Sequence, residues 1–127
     1  MREKKILIIE DEQFIRELYR DEIKREGYNT YTAENGKEGL LKVYELKPDL
    51  ILLDIMLPKL SGLSLLKEIK NNKGVKDIPV ILLTNLGQDS VIKEAFSLGA
   101  EGYLLKASYT PAQIIEEINK FFKNHAS

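Results

Sequence analysis

The sequence predicts an α/β fold: a doubly wound (βα)5 three-layer sandwich around a parallel sheet of five strands. Three observations predict it. The runs Ile6 to Ile9, Leu50 to Leu53, Val80 to Leu83 and Tyr103 to Leu105 are apolar without polar alternation, as expected of strands covered by helices on both faces. A stripe of apolar residues at helical spacing follows each strand candidate. Strand and helix then alternate along the whole chain, which is the pattern of an α/β sheet.

The elements follow in order. The first strand, Ile6 to Ile9, runs straight into Glu10, Asp11 and Glu12. Ile15, Leu18, Tyr19 and Ile23 stripe a helix that ends before Gly27. Asn29 to Ala33 carries Thr and Tyr but few aliphatics, and reads as an edge strand. Leu40, Val43 and Tyr44 mark the second helix, stopped by Pro48. The third strand ends in Asp54, and Leu65, Leu66 and Ile69 mark a helix after Ser61 and Gly62. The fourth strand ends in Thr84. Val91, Ile92, Ala95 and Phe96 mark the fourth helix, Asp89 to Leu98, ahead of Gly99. The fifth strand leads to Lys106. Ile114, Ile115, Ile118, Phe121 and Phe122 stripe the last helix, Pro111 to Lys123, with Thr110 as N-cap and proline at the first helical position. All these stripes are read as core packing.

Right-handed crossovers leave few arrangements of such a chain. The flavodoxin-like order 2-1-3-4-5 is adopted by analogy with known doubly wound sheets rather than read from the residues. Ligands of these sheets bind beyond the carboxyl ends of the strands, where the strand order reverses. Here that point lies between the first and third strands, which are ~4.8 Å apart if paired. Glu10, Asp11 and Asp54 therefore meet at one rim, and Thr84 and Lys106 end the next two strands on the same side. Each has a plainer reading: Asp11 as a helix N-cap, Asp54 as a turn cap, Thr84 as an ordinary strand residue, Lys106 as a solvated loop lysine. Together they say more. Three crowded carboxylates repel one another unless protonated or holding a cation. Oxygen donors without His or Cys favour Mg²⁺ or Ca²⁺, and a few carboxylates with retained waters suit Mg²⁺. A lysine and a threonine hydroxyl facing that ion would suit a phosphoryl group.

Composition narrows the classes. The 127 residues suit a single domain, read as one unit over residues 1–127 with no output domain. The absence of cysteine excludes disulfides, thiolate metal sites and a cysteine nucleophile. A formal net charge of −1 argues against direct nucleic-acid binding, which needs a basic face. No signal peptide or apolar run of membrane-spanning length is visible, so a cytoplasmic location is expected.

Four segments, in order and at their spacings, carry a family resemblance: residues 5–12 (KILIIEDE), 48–58 (PDLILLDIMLP) with Gly62, 80–84 (VILLT) and 99–106 (GAEGYLLK). From end to end the chain resembles the receiver domain of two-component response regulators, of the stand-alone chemotaxis type. The resemblance implies that Asp54 is the phosphoacceptor. It implies that Asp11, Asp54 and the backbone carbonyl of Met56 bind Mg²⁺, with Glu10 helping through water. Thr84 and Lys106 would contact the phosphoryl oxygens, and Tyr103 would swing inward as Thr84 moves toward them. The implied partners are a histidine kinase or histidine phosphotransfer protein and a downstream protein target, with the domain a monomer or weak dimer. It would be no enzyme in its own right, only promoting its own phosphorylation and dephosphorylation.

Several positions modify that expectation. Asn85 stands where the family has a small residue, and would narrow access to Asp54 or add a hydrogen bond. Ala107 replaces a proline that is typically cis, and a cis bond before alanine costs about 2.5–4 kcal/mol, so a trans Lys106–Ala107 bond is expected. Met56 and Leu86 would flank the approach of water to a phosphorylated Asp54 and slow its hydrolysis. Rival classes fit less well. A flavodoxin would not place Glu10, Asp11 and Glu12 against a flavin phosphate. An aspartate-nucleophile phosphatase would have an acid where Met56 stands. The serious alternative is a pseudo-receiver, a binding module that works without phosphorylation, which would lack one of the acids, Thr84 or Lys106.

Overall fold

The computed structural model describes residues 4–57, 60–85, 89–106 and 110–124. Five strands alternate with five helices: β1 (Lys5–Ile9), α1 (Gln13–Arg25), β2 (Asn29–Ala33), α2 (Gly36–Leu46), β3 (Leu50–Asp54), α3 (Gly62–Lys70), β4 (Val80–Thr84), α4 (Asp89–Ser97), β5 (Gly102–Leu105) and α5 (Pro111–Asn124). All strand pairings are parallel and the order is β2-β1-β3-β4-β5. The predicted fold class, strand order and edge position of β2 are therefore observed. Helix boundaries differ by one residue in α4 and in α5.

The unbroken apolar runs follow from the two cores they serve. Side chains alternate across a strand. Leu7, Ile9, Ile51, Leu53, Val80 and Leu82 enter one core with Val43 of α2, Leu65, Leu66 and Ile69 of α3, and Ala95 of α4. Ile6, Ile8, Leu50, Leu52, Ile81, Leu83 and Leu104 enter the other, with Tyr19 and Ile23 of α1 and Ile114, Ile115 and Ile118 of α5. Every position of β3 and β4 is buried, so neither strand has room for a polar residue before its last one.

Local chemistry sets the helix starts. The Asn35 side chain accepts from the Glu38 N–H at 2.9 Å, and Ser61 Oγ accepts from the Ser64 N–H at 3.2 Å. Thr110 Oγ1 accepts from the Gln113 N–H at 3.2 Å while the Gln113 side chain accepts from the Thr110 N–H at 2.8 Å. This reciprocal pair is the expected start of α5. Gly27 and Gly99, at φ of 107° and 110°, follow α1 and α4 in a left-handed geometry that glycine adopts without a Cβ penalty. Two stripe residues depart from the core reading: Tyr44 and Phe96 are exposed at 36 % and 42 %. Among the described residues no helix is long and apolar enough to cross a membrane.

Candidate phosphoacceptor site

Strand register assembles the site. Ile9 stands beside Leu53, so Glu10 and Asp54 lie one step further along neighbouring strands. Asp54 pairs with Leu83, and Thr84 with Leu105. The Lys106 N–H then donates to the Thr84 carbonyl at 2.9 Å, which extends the ladder by one residue. Counting by twos along each strand, Glu10, Asp54 and Lys106 share the face covered by α1 and α5. Thr84 and Tyr103 share the face covered by α2, α3 and α4.

The three acids converge: carboxylate oxygens of Glu10, Asp11 and Asp54 all lie within 4.8 Å of one another. Glu10 is fully buried and Asp54 nearly so, while Asp11 is exposed. The N-cap alternative for Asp11 is not what forms, because Glu12 is the N-cap of α1 and makes no side-chain capping bond. Nor is Lys106 a solvated lysine. Its side chain is 7 % exposed, with Nζ 2.6 Å from Glu10 Oε1 and 3.2 Å from Asp54 Oδ2.

Backbone donors hold the carboxylates in place. The Met56 N–H donates to Asp54 Oδ1 at 3.1 Å, and the Glu12 N–H donates to Glu10 Oε2 at 3.1 Å. From α1, Arg16 Nη1 donates to the carbonyls of Glu10 at 3.0 Å and Asp11 at 3.2 Å. Gly62 lets α3 begin hard against the end of β3, since a Cβ there would sit 2.6 Å from Ile55 Cα and 2.8 Å from the Asp54 carbonyl oxygen.

Burial and the Glu10 charge push the Asp54 carboxyl up from 3.8 to about 7, against the opposing pull of Lys106 and the Met56 N–H. Burial alone would lower the Lys106 ammonium, but its bond to Glu10 and the charge of Asp54 carry it above its usual value. Burial also raises the Tyr19 phenol, which feels Lys106 and Glu10 from α1. The donor set fits Mg²⁺: three carboxylates, oxygen donors only, one of them open to solvent for an ion that retains water.

The remaining residues sit around this cluster. The Thr84 hydroxyl donates to the Asn85 carbonyl at 3.3 Å, and the Asn85 side chain is exposed. Met56 is 60 % exposed beside Asp54. Tyr103 points outward and meets Phe96 of α4 edge-on, with ring centroids 6.2 Å apart. These two rings help line a groove of about 520 Å³ on the α4–β5 face, which none of the three carboxylates lines. Leu86 and the Lys106–Ala107 bond lie outside the described residues. Sequence reasoning missed Arg16, whose place six residues after Glu10 was the available signal, and the Phe96–Tyr103 pair.

Comparison with known proteins agrees with this geometry. Residues 6–119 match the response regulator receiver domain family. The chemotaxis protein CheY of Thermotoga maritima is 34 % identical over 121 residues, covering 94 % of this chain and 98 % of its own. The polar-differentiation response regulator DivK of Brucella anthropi is 36 % identical, with 93 % and 95 % covered. The phosphate regulon transcriptional regulatory protein PhoB of Pseudomonas aeruginosa is 36 % identical over 91 % of this chain, which spans only 50 % of PhoB. Among solved structures, the chemotaxis protein CheY4 of Vibrio cholerae superposes with a TM-score of 0.86 at 25 % identity, over 93 % of this chain and 98 % of that one. With the family match running from β1 into α5, and with relatives aligned over nearly their whole length, the chain belongs to the response regulator receiver domains of two-component systems.

Proposed function

We propose that this chain is a phosphorylation-activated switch, with Asp54 as the acceptor of a phosphoryl group from a histidine kinase or a histidine phosphotransfer protein. One observation carries the reading: a buried aspartate at the end of a central strand, 3.2 Å from a buried lysine and clustered with two further carboxylates. An Asp54 oxygen attacks the phosphorus of a phosphohistidine. The new P–O bond forms as the P–N bond breaks, and the electron pair leaves with the imidazole nitrogen. Asp11, Asp54 and the Met56 carbonyl would hold Mg²⁺, with Glu10 helping through water, and the ion would supply positive charge to offset that of the phosphoryl oxygens. The Lys106 ammonium faces the same oxygens, and the Thr84 hydroxyl donates to one of them. Phosphoryl transfer asks little more of a protein than this positioning and charge.

The output would be a shift between two conformations, limited by how differently they accommodate the phosphoryl group. Thr84 turning toward that group would leave its bond to the Asn85 carbonyl and open space for Tyr103 to turn inward. The α4–β5–α5 face would then present a changed surface to a downstream protein. The pseudo-receiver reading is disfavoured, because no member of the acceptor set is missing. The test is intact-mass measurement after incubation with a small-molecule phosphodonor, with and without Mg²⁺. The wild type should gain one phosphoryl group only with the ion present, and Asp54→Asn should gain none. Equal labelling of the variant would end the assignment.

A further inference from the structure

We infer that Arg16 is a positioning residue for the metal site, acting through the backbone of Asp11. The inference rests on the reading of Asp11 as a Mg²⁺ ligand. Asp11 lies in the short connection between β1 and α1, where no ladder bond holds it. Its neighbours are fastened: the Glu10 N–H donates to the Ala33 carbonyl at 3.0 Å, and the Glu12 N–H to Glu10 Oε2 at 3.1 Å. Arg16 supplies what is left. One guanidinium nitrogen donates to the carbonyl before Asp11 at 3.0 Å and to the Asp11 carbonyl itself at 3.2 Å. Both peptides that flank the Asp11 Cα are thereby fixed from α1, and with them the direction of its Cα–Cβ bond. Asp11 is the exposed member of the carboxylate cluster, and its side chain meets that of Asp54 at the cluster's edge. Its backbone, held by Arg16, sets the Cα–Cβ direction from which the carboxylate reaches that cluster.

The arrangement runs against simple electrostatics, which makes it decidable. A cation beside a dication site should weaken binding. A unit charge about 10 Å from a dication in a water-like medium costs about fourfold in affinity, and less in salt. If Arg16 mattered only as a charge, Arg16→Gln would tighten Mg²⁺ binding by about two- to fourfold. If it positions Asp11, the same change should weaken binding, and groups that orient metal ligands typically account for about 10–100-fold. The two accounts differ in sign.

The experiment is calorimetric titration of the full chain with MgCl2, comparing wild type, Asp11→Asn, Arg16→Gln and Arg16→Lys, with thermal melts in EDTA alongside. Arg16→Gln should bind Mg²⁺ at least about tenfold more weakly. Arg16→Lys, which keeps the charge but loses the planar fork of donors, should also bind more weakly than wild type. A variant that no longer melts cooperatively in EDTA would show Arg16 to be a fold residue, and would overturn a role confined to the site. Unchanged or tighter binding by a folded Arg16→Gln, with Asp11→Asn still impaired, would overturn the positioning role and leave the metal reading intact. Absence of Mg²⁺ binding by the wild type would overturn both.

Discussion

Replacing Lys106 by methionine would test the buried charge cluster directly. The lysine side chain is 7 % exposed, and it faces Glu10 and Asp54, whose side chains are 0 % and 5 % exposed. Methionine keeps most of the stem and removes the charge, leaving two buried carboxylates uncompensated. Breaking a buried pair in this way costs about 3–5 kcal/mol, a large share of the roughly 5–15 kcal/mol that holds a domain together. The cost should depend on pH. Burial, with the Glu10 charge, raises Asp54 from 3.8 to about 7. The folded state therefore binds more protons than the unfolded one across that window. Its stability from this group is full below 3.8 and is lost as the pH rises through 7. Without the lysine, Asp54 keeps its proton to still higher pH. At pH 5 Asp54 is protonated with or without the lysine, so less of the lost pairing counts there than at pH 8. The Lys106 ammonium is itself raised, so its contribution in the wild type is lost only in strong alkali, outside this range. Urea denaturation in EDTA should give a loss of about 3–5 kcal/mol at pH 8 and about half that at pH 5. Equal losses at both pH values, or less than about 1 kcal/mol at pH 8, would refute the reasoning.

Gly62→Ala should cost about 2–3 kcal/mol in the same assay, as overpacking against rigid atoms does, because the new Cβ meets backbone at 2.6 Å and no side chain can yield; a loss below about 0.5 kcal/mol would mean that α3 shifts freely. Met56→Asn should speed loss of the phosphoryl group from Asp54 about tenfold, or ~1.4 kcal/mol of barrier, since a polar group at this exposed position can orient water; phosphoryl loss after removal of the donor, at fixed Mg²⁺, checks it, and an unchanged or slower rate would count against a gate there.

The strands were legible because both faces of this sheet are covered. That condition leaves β3 and β4 no freedom to be polar until Asp54 and Thr84, where the sheet ends. The same condition pointed to the site, since a carboxylate closing an apolar strand must have a reason to be there. Aromatics on helices misled. Tyr44 and Phe96 follow Val43 and Ala95, which are fully buried, and the next residue on a helix lies about 100° round. Spacing alone admits both to the stripe, but the sheet has room for only one. Tertiary detail was illegible for a different reason. Which carboxylate Lys106 reaches depends on β1–β3 register and on the extra methylene of Glu10, which brings Oε1 to 2.6 Å. Arg16 could have served solvent as well as a carbonyl, and only the path of the β1–α1 connection decides.

The raised Asp54 carboxyl sets a requirement on the chemistry it is proposed to perform. A nucleophile must be ionised, yet at about 7 this carboxyl is roughly half protonated at neutral pH. A dication among the three acids reverses the balance, because it favours every ionised oxygen around it. Cation uptake and deprotonation are then one event, and Mg²⁺ binding must release protons. With a value near 7, release should be about 0.9 proton per ion at pH 6, falling to about 0.1 at pH 8. Apparent Mg²⁺ affinity should strengthen correspondingly by about tenfold from pH 6 to pH 8. Calorimetric titrations in two buffers of different ionisation enthalpy measure the release directly. Asp54→Asn should abolish it while Asp11 and Glu10 remain. If the wild type releases no proton at pH 6 while binding the ion, Asp54 is already ionised in the apo domain. Lys106 would then outweigh burial, and the cluster would be a settled ion pair rather than a site held in readiness for a cation.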